Sequence, residues 1–212
     1  MRILYIDTTT SNLYTAIYED NKILNEVKGM FGKDLSKVAL VKIKEMLDSV
    51  NLVPNDVDKI IVVNGPGSFT GIRIGVTIAK TFAYSLNKEI TTISSLQAMA
   101  LSSNRNNDFI VPVIDARRGD VFAGIYDKNG NIVLKDQYIS LEALKLACNN
   151  LIGEYNFIGN NDKLDIDSEE YNPNLLKVID KFVDKDSMNP HEVNPIYLKL
   201  TEAEENKKVE VI

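Results

Sequence analysis

Tryptophan is absent from this chain of 212 residues, and cysteine and histidine occur once each, as Cys148 and His191. A lone cysteine cannot close an internal disulfide, which fits a reducing compartment, and Cys148 reads as a small buried hydrophobe. One histidine leaves no His-x-x-x-His or His-Glu-x-x-His pair for a zinc or iron hydrolase, and His191, after Asn189-Pro190, reads as a solvated loop residue. No apolar run approaches the length of a membrane span. The start offers Arg2 and then only Ile3-Leu4-Tyr5-Ile6 before Asp7, without the apolar region of a secretory signal. The expectation is a cytoplasmic protein with no membrane partner. A basic surplus is missing too: 24 Lys and Arg stand against 30 Asp and Glu, for a net charge of -6. Wrapping nucleic acid unaided needs a basic footprint, so any RNA role runs through another subunit. No linker rich in Gly, Pro or Ser interrupts the chain.

What is present is ordinary globular material, 44% hydrophobic and 25% charged, enough to bury a sizeable core. It is present twice. Slid against itself by about 108 positions, the chain lays the stretch from Ile6-Asp7-Thr8-Thr9 to Tyr18-Glu19 over that from Ile114-Asp115-Ala116-Arg117 to Tyr126-Asp127 without a gap. Each copy reads as a buried strand ending in an aspartate, a polar turn and a second strand of β-formers. Asp127-Lys128-Asn129-Gly130 then marks a hairpin turn leading to a third strand over 131–135. Leu35, Val38, Ala39, Ile43, Met46, Leu47 and Val50 recur at helical spacing, and Ser140 caps a shorter helix through 148. Strands at 59–63 and 155–158 precede helices at 71–86 and 175–183. Both halves read β-β-β-α-β-α, with an extra helix at 94–101 between them. This is the order of the ribonuclease-H-like unit, and its duplication gives the two-lobed α/β architecture of the actin-like and Hsp70-like ATPases. The division expected is an N-terminal lobe over 1–104, a smaller lobe over 105–190 and a charged tail over 191–212.

The most informative stretch is Asn64-Gly65-Pro66-Gly67-Ser68-Phe69-Thr70-Gly71-Ile72-Arg73-Ile74-Gly75, between a strand and a helix. Such a turn can present N–H groups and a helix N-terminus to an anion. Yet the Gly-Lys-Ser/Thr ending of a P-loop is missing, Pro66 removes a donor, and Gly-x-Gly-x-x-x-Gly is not the dinucleotide spacing. The residues placed to touch a phosphate or shape the loop are Asp7, Thr8, Thr9, Gly65, Gly67, Ser68, Arg73 and Asp115. In the helix that follows, Gly71, Gly75, Ala79 and Ala83 form a row of small side chains. Gly75 costs about 1 kcal/mol against alanine unless close packing repays it. Two readings compete: packing on the chain's own sheet, and a helix pair at a subunit interface. The second is the expectation, with Gly75→Leu abolishing association but not folding.

These residues resemble a known family. The run from Gly65 to Gly75, with Ile6-Asp7-Thr8-Thr9, the stretch from Asp115-Ala116-Arg117-Arg118 to Val121-Phe122, and Pro195-Ile196-Tyr197-Leu198, is similar to the hallmark motifs of the TsaB (YeaZ-type) family. The resemblance implies a non-catalytic paralogue of a TsaD-type transferase, required for threonylcarbamoylation of adenosine 37 in tRNAs that read codons beginning with A. It implies pairing with the TsaD-type protein, a TsaE-type ATPase as third component, tRNA contact only through the complex, and a homodimer in isolation. The implied interface uses the helices at 35–50 and 71–86, with Leu35, Val38, Ala39, Gly71, Ile72, Gly75, Ile78, Ala79 and Phe82 in contact. No metal or cofactor of its own is implied, ATP and magnesium belonging to the complex. Family members often begin the first helix with a His-Ser pair, where this chain has Gly32-Lys33-Asp34-Leu35-Ser36, so no role of that histidine carries over.

A different class competes. Asp7 and Asp115 facing each other across a cleft are what an actin-like phosphotransferase uses with magnesium, Asp7-Thr8-Thr9-Thr10 gripping phosphate. Against it, both aspartates can simply end strands and cap their own turns. Arg117 and Arg118 suit partner carboxylates, RNA phosphate or a solvated turn.

Overall fold

A computed structural model describes residues 1–160 and 163–199; of the tail expected at 191–212, residues 200–212 lie outside the described residues. Five strands form the first sheet, β1 (Arg2–Asp7), β2 (Asn12–Glu19), β3 (Lys22–Met30), β4 (Lys59–Val63) and β5 (Glu89–Ile93), in the order β3-β2-β1-β4-β5. The first three pair antiparallel, while β4 lies parallel to β1 and β5 parallel to β4. The second sheet repeats this with β6 (Phe109–Asp115), β7 (Asp120–Asp127), β8 (Ile132–Ser140), β9 (Tyr155–Ile158) and β10 (Ser168–Glu169), in the order β10-β9-β6-β7-β8. The duplication is therefore real, and each copy carries a fifth strand that the sequence reading omitted. In β5 the run Ile90-Thr91-Thr92-Ile93 is β-branched throughout but too short to stand out beside a long helix.

Helices α1 (Leu35–Ser49) and α2 (Phe69–Leu86) cover one face of the first sheet, meeting Leu4, Ile6, Ile17, Ile60 and Val62. Ser68 caps α2, its hydroxyl accepting from Gly71 N–H at 3.2 Å, and Asn87 ends it in the left-handed conformation, φ 51°. Helix α4 (Leu141–Asn149) covers the equivalent face of the second sheet, with Leu144 and Cys148 buried against Val111, Val121 and Ala123.

Between the sheets lie α3 (Ser95–Leu101) and α5 (Leu175–Phe182). Helix α3 turns Ala98 and Leu101 to the first sheet and Leu96, Met99 and Ala100 to the second. Helix α5 follows the second lobe in sequence, yet its Leu175, Val178, Ile179 and Phe182 pack on Ile3, Tyr5, Ala16, Ile61 and Val63 of the first sheet. The chain thus crosses back before the expected boundary at 190. The physical reason is apolar area: the inner face of the first sheet presents Ile3, Tyr5, Ala16, Ile61 and Val63, and α3 is too short to cover it.

Residues 186–197 continue along the first lobe as a strap. Met188 N–H donates to Ile90 O at 2.9 Å, Val193 is buried in the core beneath α2, and Ile196 N–H donates to Asn64 O at 2.7 Å. Lys59, only 2% exposed, anchors the start of this crossing: its ammonium donates to Val183 O at 2.9 Å and to Lys185 O at 2.5 Å. His191 is exposed in a short 3-10 turn, as expected of a solvated loop residue, with its ring edge-on to the exposed Tyr84 of α2, centroids 5.0 Å apart.

The two hairpins differ by one residue in register. Asp7 pairs with Tyr14, but Asp115 pairs with Val121 rather than with Phe122, which a uniform offset of 108 would supply. Leu4 and Ile6 face α1 and α2, whereas Val111 and Val113 are the residues of β6 that face α4. The first strands therefore correspond at an offset one smaller than the second strands do, and Asp7 and Asp115 are not equivalent positions of the repeat.

No helix among the described residues is long and apolar enough to cross a membrane.

Candidate functional site

The Gly-rich turn is closed by the chain itself. Ser68 N–H donates to Thr9 O at 2.7 Å, Ile72 N–H to Ser68 O at 2.8 Å, and Thr8 Oγ1 donates to Gly71 O at 2.7 Å. The N–H groups of Ser68, Gly71 and Ile72 are thus engaged within the turn, and the glycines are glycines because backbone lies against them. A Cβ on Gly67 would overlap Thr9 O, one on Gly71 would overlap Thr8 O, and one on Gly65 would stand 2.5 Å from Ile196 O of the strap. Gly65 at φ 118° and Gly67 at φ 156° also need conformations that other residues rarely adopt. Thr8, Thr9, Gly65, Gly67 and Ser68 thus come together as expected, but as a locked junction of β1, α2 and strap rather than a phosphate cradle.

The same geometry corrects the expected interface. Leu35, Ala39, Gly71, Ile72, Gly75 and Ala79 are buried within this chain, Gly75 directly over Thr8 Oγ1 and Ile6 Cγ2. The small-residue row exists so that α2 can approach its own β1. Only Val38, Ile78 and Phe82 of the expected set keep part of their surface. What the helix pair shows to solvent is Leu40 (52% exposed) and Val41 (51%) on α1 with Phe69 and Tyr84 (67%) on α2. These were missed because exposed apolar residues break helical periodicity and look like noise.

Arg73 is exposed and engaged at the start of α2. Its guanidinium lies 3.8 Å from the centroid of Phe69, its Nε donates to Tyr197 Oη at 2.8 Å, and Phe69 stacks on Tyr197 at 4.5 Å. Planar charge on a ring face is a favourable arrangement. It pins the strap to α2 and does not point into the cleft.

Asp7 and Asp115 do line one cavity, about 260 Å³ between the lobes, with Thr9, Thr10, Ser95, Met99, Val113, Ile114, Asn160 and Tyr171. Asp7 is 3% exposed; its Oδ1 accepts from Thr9 N–H at 2.8 Å and from Thr9 Oγ1 at 2.7 Å. Burial pushes its carboxyl above the ordinary 3.8, and the two Thr9 hydrogen bonds offset only part of that. Asp115 Oδ1 accepts from Arg117 N–H at 2.7 Å. Each aspartate caps its own turn, the simpler of the two readings. No group of three His, Cys, Asp or Glu among the described residues is placed to hold a metal ion. Arg117 and Arg118 sit exposed in the turn, both at positive φ, outside the cavity lining. The part of Tyr171, which lines the cavity and meets Tyr14 edge-on at 6.1 Å, had no sequence signal, because it arrives from the far end of the chain.

Comparison with known proteins agrees with this architecture. A family model for TsaD, tRNA N6-adenosine threonylcarbamoyltransferase, matches residues 13–163. The tRNA threonylcarbamoyladenosine biosynthesis protein TsaB of Bacillus subtilis is 33% identical, with 96% of each chain aligned. TsaB of Escherichia coli is 31% identical over 62% of this chain and 57% of its own length. Among solved structures, YeaZ from Pseudomonas aeruginosa superposes with a TM-score of 0.73 at 19% identity, over 93% of this chain and 99% of its own, and so shares the fold. A Bacillus relative aligned from end to end, a TsaD model matched across both sheets, and the two-lobed architecture agree: the chain belongs to the TsaB (YeaZ-type) family.

Proposed function

We propose that the protein is an accessory subunit for threonylcarbamoylation of adenosine in tRNA, acting by docking on a TsaD-type paralogue rather than by a complete active site of its own. The observation that carries this reading is the full-length match to TsaB of Bacillus subtilis, a threonylcarbamoyladenosine biosynthesis protein by name. The geometry of the Gly-rich turn supports it, since its Ser68, Gly71 and Ile72 N–H groups already bond to Thr9 O, Ser68 Oγ and Ser68 O and are not offered to a nucleotide phosphate. The docking surface in this reading is the exposed side of the helix pair, Leu40, Val41, Phe69 and Tyr84, flanked by the half-buried Val38, Ile74, Ile78 and Phe82. Large apolar side chains left in water on adjacent helices are what a partner helix covers. The same surface serves a homodimer when the partner is absent. A TsaE-type ATPase and tRNA join through the complex, because a net charge of -6 gives this chain no phosphate footprint. The test is reconstitution: purified TsaD-type and TsaE-type proteins, tRNA, ATP and a pre-activated threonylcarbamoyl donor, with and without this chain. Modification that needs the chain, with no ATP turnover by the chain alone, is the expected result. Steady ATP turnover by the isolated chain, lost in Asp7→Asn, overturns it in favour of a phosphotransferase.

A further inference from the structure

We infer that the outer edge of β8 is the docking site for residues 209–212 of this same chain, which add to the second sheet as a sixth strand. β8 is the last strand in the order β10-β9-β6-β7-β8, and among the described residues no strand pairs with its outer side. An open edge presents unpaired N–H and C=O groups, and proteins blunt it with charge or cover it. On β3, the corresponding edge of the first sheet, Lys22, Glu26 and Lys28 interrupt the exposed Leu24 and Met30. β8 instead exposes Ile132 (56%) and Val133 (48%) side by side, with Lys135 as its one exposed charged residue. Such an edge calls for cover rather than charge.

The course of the chain brings that cover to the edge. Tyr197, at the end of the strap, stacks on Phe69 of α2, and two residues later the ammonium of Lys199 lies 5.0 Å from the ring centroid of Tyr138 in β8. The described residues thus end beside the last part of the open strand, and residues 200–212 follow. From Tyr138 back to Ile132 is about 20 Å of strand. Residues 200–208 reach about 30 Å when extended, enough to carry Val209-Glu210-Val211-Ile212 to the exposed apolar pair. Three of these four residues are β-branched and suit a strand. A segment running back along β8 pairs with it antiparallel. The register that sets Glu210 opposite Lys135 also sets Val211 opposite Leu134 and Ile212 opposite Val133, so charge meets opposite charge and apolar meets apolar. Adding an extended segment to a sheet edge in this way combines a main-chain ladder with side-chain pairing. Because the strap is held on the first sheet, docking also ties the first lobe to the second.

This docking is independent of the helix-pair surface and of the tRNA reading, and it is tested on the full chain by amide hydrogen exchange read by NMR. The outward-facing amides of 132–136 should exchange at least tenfold more slowly in the parent than in a variant carrying Val211→Asp and Ile212→Asp, while the edge amides of β3 exchange equally in both. Should the aspartate variant fail to fold, a second variant reads the same contact: Val133→Cys with Ile212→Cys should close an intramolecular disulfide under mild oxidation, directly opposed strand residues lying within its reach. Outward amides of β8 that exchange as fast in the parent as in the aspartate variant would overturn the inference, as would cysteines that fail to join. Protection that rises with protein concentration, or a disulfide that links two chains, would overturn it in favour of edge pairing between copies.

Discussion

Gly75 of α2 lies directly over Thr8 of the β1–β2 turn, so that a methyl group on residue 75 would overlap Thr8 Oγ1 and stand 3.6 Å from Ile6 Cγ2. Thr8 Oγ1 has no freedom to move away, because it donates to Gly71 O one helical turn earlier. The missing side chain is what lets α2 close on β1.

Gly75→Ala therefore tests folding, not assembly. Overpacking of this kind costs about 1–3 kcal/mol, more than the roughly 1 kcal/mol that alanine gains in helix propensity. Chemical denaturation should show a net loss of stability, and Thr8→Ala in the same chain should recover part of it. Additive losses in the double variant would mean that the two residues do not touch.

Leu40→Glu with Val41→Glu should leave the monomer intact and remove association. Both side chains are more than half exposed, so stability should change by no more than about 0.5 kcal/mol each. Analytical ultracentrifugation of the isolated chain, and pull-down with the TsaD-type partner, read the outcome. An unchanged assembly state would move the docking surface elsewhere.

Lys59 ties α5 and the strap to the first sheet. Replacing it by methionine keeps the buried stem but leaves Val183 O and Lys185 O without their donor. A loss of about 2 kcal/mol or more is expected for unpaired buried carbonyls. Hydrogen exchange should accelerate first over 175–190 and only later in β4. Uniform acceleration would contradict the anchoring role.

Asp7 sets a pH dependence whose sign is fixed by burial. Its carboxyl is raised above 3.8, so the folded chain holds that proton more tightly than the unfolded one. Its contribution to stability is largest below 3.8 and is lost as the pH rises through the raised value, leaving a buried charge at neutral pH. Asp7→Asn should consequently melt higher than the parent at pH 7, with the difference shrinking as the pH falls towards 3.8. A variant that melts lower at pH 7 would show that the carboxylate is stabilised by something other than Thr9.

Local patterns determined a great deal. The near-continuous apolar runs from Ile3 to Ile6 and from Leu13 to Tyr18, the helical spacing from Leu35 to Leu47, the Ser68 and Ser140 caps and the Asn129-Gly130 turn are all local signals, and the two copies can be laid over one another without a gap. From these the duplicated two-lobed fold and, through the run from Gly65 to Gly75, the family follow. Tertiary structure alone decided three things. It turned the small-residue row of α2 inward, because a row of glycine and alanine fits a sheet and a partner helix equally well until the sheet is in place. It brought α5 back over the first sheet, because which apolar face needs cover depends on how much α3 leaves open. It set the hairpin register one residue apart in the two lobes, because pairing is fixed by which side chains each sheet buries, and a gapless overlay of sequence carries no information about that choice.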